Sequence, residues 1–173
     1  MVRRALLLCV ALLIPMLAPP YLDAQIIFEA EVQRVVDGDT VVLQVGDIRY
    51  RARLHGIDAP ESNQPWGAEA TALLGELLGA GPVTVEVPDI DRYGRLIVRL
   101  YRDELFINRE LVARGAAWRY PEFDRDGEFL AAEQAARAEG RGLWGAGGDS
   151  GPSAGGAGST NDRPVPPWEW RRR

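Results

Sequence analysis

The chain has 173 residues, 46% hydrophobic and 26% charged, which suits one globular domain with extensions and excludes two large ones. Its formal net charge of −5 excludes a protein that coats nucleic acid by bulk positive charge, so any contact with phosphate must be local. All 20 basic residues are arginine, the side chain that presents paired N–H donors to phosphate.

At the start, Arg3 and Arg4 precede an apolar run from Ala5 to Ala18, and Ala24 before Gln25 is a small-residue cleavage point. Residues 1–24 therefore read as a secretory signal peptide, with the mature protein in the periplasm or the medium. Read as an anchor, the run offers about 14 apolar residues interrupted by Pro15, short of the roughly 20 that span a bilayer. No stable membrane anchor is expected after cleavage. Cys9, the single cysteine, lies inside this run, so the mature chain must be stable without disulfides.

The domain is expected over residues 25–145. Glu31 to Val36 and Thr40 to Val45 are β-rich runs divided by Asp37-Gly38-Asp39, and Gly46-Asp47 is a two-residue hairpin signal before Ile48 to Leu54. That third run alternates, with Arg49, Arg51 and Arg53 on one face and Tyr50, Ala52 and Leu54 on the other. Pro65-Trp66-Gly67 opens a helix with Ala70, Leu73, Leu74, Leu77 and Leu78 at helical spacing, stopped by Gly79-Ala80-Gly81-Pro82. Val83 to Val87 and Leu96 to Tyr101 are further strands, either side of Asp91 to Arg95. Ile107 to Arg114 is a short helix, and Asp126 caps a longer one from Gly127 to about Glu139. Trp66, Trp118 and Trp144 read as packing residues. Five strands and about three helices predict an α+β, mainly β, Greek-key barrel.

Three charged segments carry the chemistry: Asp37-Gly38-Asp39-Thr40, Arg53-Leu54-His55-Gly56-Ile57-Asp58-Ala59-Pro60-Glu61, and Asp91-Arg92-Tyr93-Gly94-Arg95. Taken singly, the first and last are common turn sequences. Together they supply what phosphodiester hydrolysis needs: an activated water, a cation on a non-bridging oxygen, and positive groups for the charge that grows in the transition state. Asp39 and Asp58 are hard oxygen ligands suited, with a backbone carbonyl and waters, to Ca²⁺. His55, the lone histidine, reads as structural or exposed.

The order and spacing of these segments, from about Glu31 to Trp144, resemble the staphylococcal nuclease (thermonuclease) family. The resemblance implies an OB-fold, calcium-dependent cleavage of DNA and RNA with low sequence specificity, and a 3′-phosphate product. It implies that Asp39, Asp58 and the carbonyl of Ala59 hold the metal, with Asp37 behind them. Glu61 would be the general base and Arg53 and Arg95 the catalytic arginines. Arg92, Tyr93 and Tyr120 match contacts to substrate phosphate, Arg92 standing where lysine is usual. The other reading is a binding module on the same fold that has lost catalysis; against it, all five catalytic and metal-binding charges are present. A monomer is expected.

Residues 146–173 read as an extension. Gly145 to Thr160 has the composition of a flexible linker. The tail from Pro164 to Arg173, with Trp168, Trp170 and three arginines, is too short to fold alone and reads as disordered, contact with nucleic acid or an anionic surface being the other reading.

Overall fold

The computed structural model describes residues 26–124, 127–145 and 164–173. The leader, the linker beyond Gly145 and the Asp126 cap lie outside these residues.

The first three runs form an antiparallel meander, β1 (Ile26–Asp37), β2 (Thr40–Val45) and β3 (Ile48–Leu54), turning at Gly38-Asp39 and Gly46-Asp47. β1 is longer than the sequence pattern indicated and serves two partners. Its first half pairs with β5 (Val83–Ile90), from Ile26↔Val87 to Ala30↔Val83, and its second half pairs with β2, from Glu31↔Gln44 to Asp37↔Thr40. Register shifts at Val32/Arg34 and Val35/Asp37 mark where it bends, as extra residues in a strand do. β6 (Leu96–Arg102) pairs antiparallel with β5 and parallel with β3, at Ala52↔Leu96 through Leu54↔Val98. That last pairing closes a five-stranded OB-type barrel, as expected, which leaves few open edges.

The alternation in β3 works as the sequence indicated: Ala52 and Leu54 are buried, Arg49 and Arg51 are exposed, and Arg53 lies half-buried at the rim. Val41, Leu43, Val83, Val85, Val98 and Leu100 fill the barrel. Helix α1 (Gly67–Leu78) adds Ala70, Leu74, Leu77 and Leu78, and α2 (Ile107–Ala113) adds Leu111 and Val112. Each buried leucine or valine among these contributes about 1.5–3 kcal/mol by leaving water. The carbonyls at the end of α1 are capped by Arg102, whose guanidinium donates to Leu78 and, at 2.8–3.0 Å, to Ala80, Gly81 and Pro82. No helix among the described residues is long and apolar enough to cross a membrane.

Short pairings absent from the sequence reading position the site. β4 (Ile57–Asp58) pairs with β8 (Trp118–Arg119), and β7 (Leu105–Phe106) adds to the edge of β6. The third long helix, α3, runs from Leu130 to Ala138 instead of starting at Gly127. Asp124, not a residue of the helix itself, accepts the Phe129 N–H at its entry (3.4 Å).

The tail differs from its expected disorder. Residues 164–173 lie against the domain and include one helical turn, α4 (Pro167–Trp170), with Pro167 buried. Pro167 at the first helical position suits a helix start, and contacts with the domain supply what ten residues lack by themselves.

Candidate functional site

The Asp37–Thr40 turn sits where β1 hands over to β2, and its shape is set by local bonds. The Asp37 carboxylate accepts the Asp39 N–H (3.1 Å), an Asx turn of the kind aspartate favours. Gly38 is wedged against the next segment: a Cβ there would stand 2.7 Å from the Ala59 Cβ and 2.8 Å from that of Ala70. Only glycine lets the turn press this closely on the residues after Asp58. As a result the Asp39 carboxylate accepts the Ala59 N–H at 2.7 Å and the Thr40 hydroxyl at 3.0 Å.

Asp58 arrives by a different route. Its backbone pairs with Trp118 through β4–β8, and the Tyr120 N–H donates to the Gly56 carbonyl (2.9 Å). Behind this turn lies Asn108, which is fully buried. Its amide donates to the carbonyls of His55 (3.1 Å) and Val98 (3.0 Å), and its oxygen accepts the Leu100 N–H (3.0 Å). Asn108 thus ties the Asp58 turn to β6.

Arg53 lies between the two aspartates, paired with Asp39 and, at 2.6 Å, with Asp58, and it also donates to the Ile57 carbonyl (3.3 Å). Asp39 is 5% exposed and Asp58 0%, so both carboxylates need the compensation. Burial pulls the Arg53 guanidinium below its usual range, with Asp58 acting in the opposite sense; an arginine remains charged regardless.

Glu61 stands on the next loop. Its N–H donates to the Gln64 side chain (3.1 Å), and its carbonyl accepts the Gln64 N–H (2.9 Å). Gly67 fits against this loop so tightly that a Cβ would overlap the Glu61 carbonyl. The start of α1 is therefore what fixes the Glu61 backbone.

Arg95 forms the facing part of a groove of about 670 Å³ that Asp39, Arg53, Glu61, Arg92, Tyr93 and Tyr120 also line. Asp91 holds Arg95 by a 2.7 Å ion pair and accepts the N–H groups of Tyr93 (2.9 Å) and Arg95 (3.0 Å). Although burial opposes it, this bonding draws the Asp91 carboxyl below its usual range. Tyr93 is 70% exposed, with Arg92 against its ring at 4.8 Å. Tyr120 packs edge-on to Phe123 (5.0 Å). Below it, the Arg119 N–H donates to buried Glu133 at 3.1 Å.

His55 also borders the groove and is half-buried. Its Nδ1 is enclosed without a hydrogen-bond partner. Burial, and then Arg99, lower its pKa below 6.5, so it is neutral at pH 7. Trp118 is buried and meets Trp144 edge-on (5.5 Å), in agreement with a packing role.

The sequence reading missed two residues at this site, both in the tail. Arg171 pairs with Asp58 at 2.8 Å and with Glu61 at 2.5 Å, and Trp168 stacks on Tyr120 with ring centres 5.5 Å apart and planes inclined by 7°. Burial acts to lower the Arg171 pKa, but the bonds and charges of Asp58 and Glu61 carry it above its usual value. Their residue types were the available signal, because aromatic and arginine side chains are the groups that can enter a groove of carboxylates and tyrosines.

Asp39, Arg53, Glu61 and Arg95 thus converge on one groove from separate elements, with Ala59 beside Asp39, and buried Asp58 joins them through its ion pairs with Arg53 and Arg171. Among the described residues no three His, Cys, Asp or Glu side chains gather as a ready metal cluster. The donor chemistry nonetheless fits a hard cation, since buried carboxylate oxygens here already take guanidinium groups as their positive partners.

Residues 51–146 match the family described as staphylococcal nuclease homologue. That stretch holds Arg53, Asp58, Glu61, Arg95 and Tyr120, and Asp39 joins them through the fold. A probable staphylococcal-like nuclease of Oryza sativa subsp. japonica is 37% identical over 72% of this chain, which spans 30% of that relative's length. An uncharacterized endonuclease of Escherichia coli O157:H7 is 36% identical over 89% of this chain and 90% of its own. A micrococcal nuclease of Shigella flexneri is 34% identical over 84% of this chain and 81% of its own.

Proposed function

The chain belongs to the staphylococcal nuclease family, and we propose that it is a calcium-dependent endonuclease hydrolysing phosphodiester bonds of DNA and RNA with low sequence specificity. The observation that carries this reading is Arg53 held between Asp39 and Asp58, on the same groove as Glu61 and Arg95. Asp39, Asp58 and the Ala59 carbonyl would hold Ca²⁺, which when bound supplies positive charge to a non-bridging phosphate oxygen.

The remaining work falls to the chain's own groups. Glu61 accepts a proton from the attacking water as the new P–O bond forms and the P–O5′ bond breaks, the leaving 5′-oxygen taking its proton from solvent. Arg53 and Arg95 donate N–H groups to the phosphate oxygens, whose charge is greatest in the transition state, so they lower the barrier more than they tighten binding. Asp91 orients Arg95 for this. Tyr93, Arg92 and Tyr120 line the groove where substrate phosphates would lie. The leader-like residues 1–24 support action outside the cytoplasm, in the periplasm or the medium.

The experiment is cleavage of DNA and RNA by the purified protein with Ca²⁺ or with chelator, alongside Glu61→Gln. Cleavage should need Ca²⁺, and the variant should lose roughly 10²–10⁴ in rate with little change in substrate affinity. Equal cleavage in chelator removes the metal. Absence of cleavage by the unmodified protein with Ca²⁺ removes the enzyme and leaves a binding module.

A further inference from the structure

We propose that the C-terminal segment Pro164–Arg173 is a self-inhibitory strap, which borders the groove and places Arg171 on the carboxylates of Asp58 and Glu61 and Trp168 on Tyr120. The inference rests on the nuclease reading, since what it blocks is the site of that reaction. The segment lies outside residues 51–146, the part that matches the family.

Three kinds of contact seat the strap, and they are spread along its length. The Gln64 amide donates to the Val165 carbonyl (2.5 Å), and the Trp170 indole N–H donates to Asn63 (3.4 Å). Trp168 lies parallel on Tyr120. Arg171 reaches both oxygens of Asp58, at 2.8 and 3.3 Å, and one of Glu61 at 2.5 Å. Gln64 and Asn63 belong to the Glu61 loop, so the strap grips the very loop that carries the proposed base. Arg171 keeps part of its surface exposed even so, as do Arg172 and Arg173.

Each interaction opposes one part of the chemistry. A guanidinium on both oxygens of Asp58 competes directly with a cation for the same lone pairs. An ion pair on Glu61 occupies the carboxylate that would accept a proton. An indole on Tyr120 takes the face on which an aromatic base would stack. Individually weak contacts suffice, because residues 146–163 tether the strap and make its return intramolecular. Release follows from the same competition: Ca²⁺ displaces Arg171 from Asp58, and a polyanionic substrate competes with both carboxylates for the Arg171 guanidinium.

The test uses the full chain as Arg171→Gln and Trp168→Ala, with Arg172→Gln as a control that touches neither Asp58, Glu61 nor Tyr120. Three quantities are measured: Ca²⁺ affinity by calorimetry, affinity for a short single-stranded DNA in chelator by fluorescence anisotropy, and cleavage at sub-saturating Ca²⁺. Arg171→Gln should raise Ca²⁺ affinity, and Trp168→Ala, which changes no charge, should raise DNA affinity, each about tenfold. Cleavage should quicken in both, and the control should match the parent. Unchanged affinities in both variants overturn the strap, as does weaker DNA binding in Trp168→Ala, which would make the tail a substrate-binding arm. If no protein cleaves, the nuclease reading falls on its own, and the DNA affinities in chelator still decide the strap.

Discussion

Asn108 offers a clean measure of how the fold supports the site, because it touches no substrate-facing group yet anchors the turn that leads to Asp58. Replacing it with Leu keeps the volume but leaves the Leu100 N–H and the His55 carbonyl without the partners they have at 3.0 and 3.1 Å. The Val98 carbonyl still accepts the His55 N–H at 2.8 Å, so its loss is partial. Two unpaired groups, one buried and one partly buried, should cost about 2 kcal/mol in Asn108→Leu. Asn108→Ala adds the space left by the amide, about 1 kcal/mol more. Urea unfolding with a shared slope gives these differences directly. Both variants should also bind Ca²⁺ more weakly, since the His55–Ile57 turn loses its tie to β6. An Asn108→Leu protein within about 0.5 kcal/mol of the parent would refute the reasoning, because surface substitutions alone give that much.

Arg53→Lys and Arg95→Lys keep the charge but lose the two-pronged donor, and single-turnover cleavage should fall by an amount on the order of 3 kcal/mol while substrate affinity changes little. Gly67→Ala should displace the Glu61 carbonyl that its Cβ would overlap; we expect cleavage to drop far more than the thermal midpoint, and equal activity would show that the loop yields freely. His55 titrates below 6.5 in the folded protein because burial and Arg99 outweigh Asp124, Glu86 and Asp89. Between its folded value and 6.5 the unfolded chain binds more protons, so its contribution is complete above pH 6.5 and is lost as pH falls through the folded value. Thermal midpoints measured on the acid side should decline less steeply in His55→Gln than in the parent.

Much of the barrel was legible because its strands carry a period of two and its turns carry glycine and aspartate. The Ile48–Leu54 run is the clearest case, since it separated three arginines from a buried face before any partner strand was known. The site was legible because its charged residues sit at turns adjoining those strands. What escaped has physical reasons. β4, β7 and β8 are two residues long, too short for any periodicity, and exist only because a distant partner is in place. The tail shows the same limit in stronger form: nothing in Pro164–Arg173 predicts order by itself, and its conformation depends on Tyr120, Asn63, Gln64, Asp58 and Glu61. The role of Gly38 is also invisible locally, because the turn alone would accept several residues; the requirement comes from Ala59 and Ala70.

The pairing of Asp58 with Trp118 has a consequence for the order in which the molecule is made. The β1–β2–β3 meander joins neighbours in sequence, so the Asp39 turn and Arg53 belong to contacts whose loop entropy is small. Closure of β3 on β6, and above all the joining of β4 to β8, bridges far longer stretches of chain. Partly folded chains would therefore hold the meander without an assembled groove, and amide protection in pulse labelling should reach Val41–Leu54 before Trp118. A newly made chain would acquire its chemistry only at the closing step, when Trp118 locks Asp58 beside Arg53.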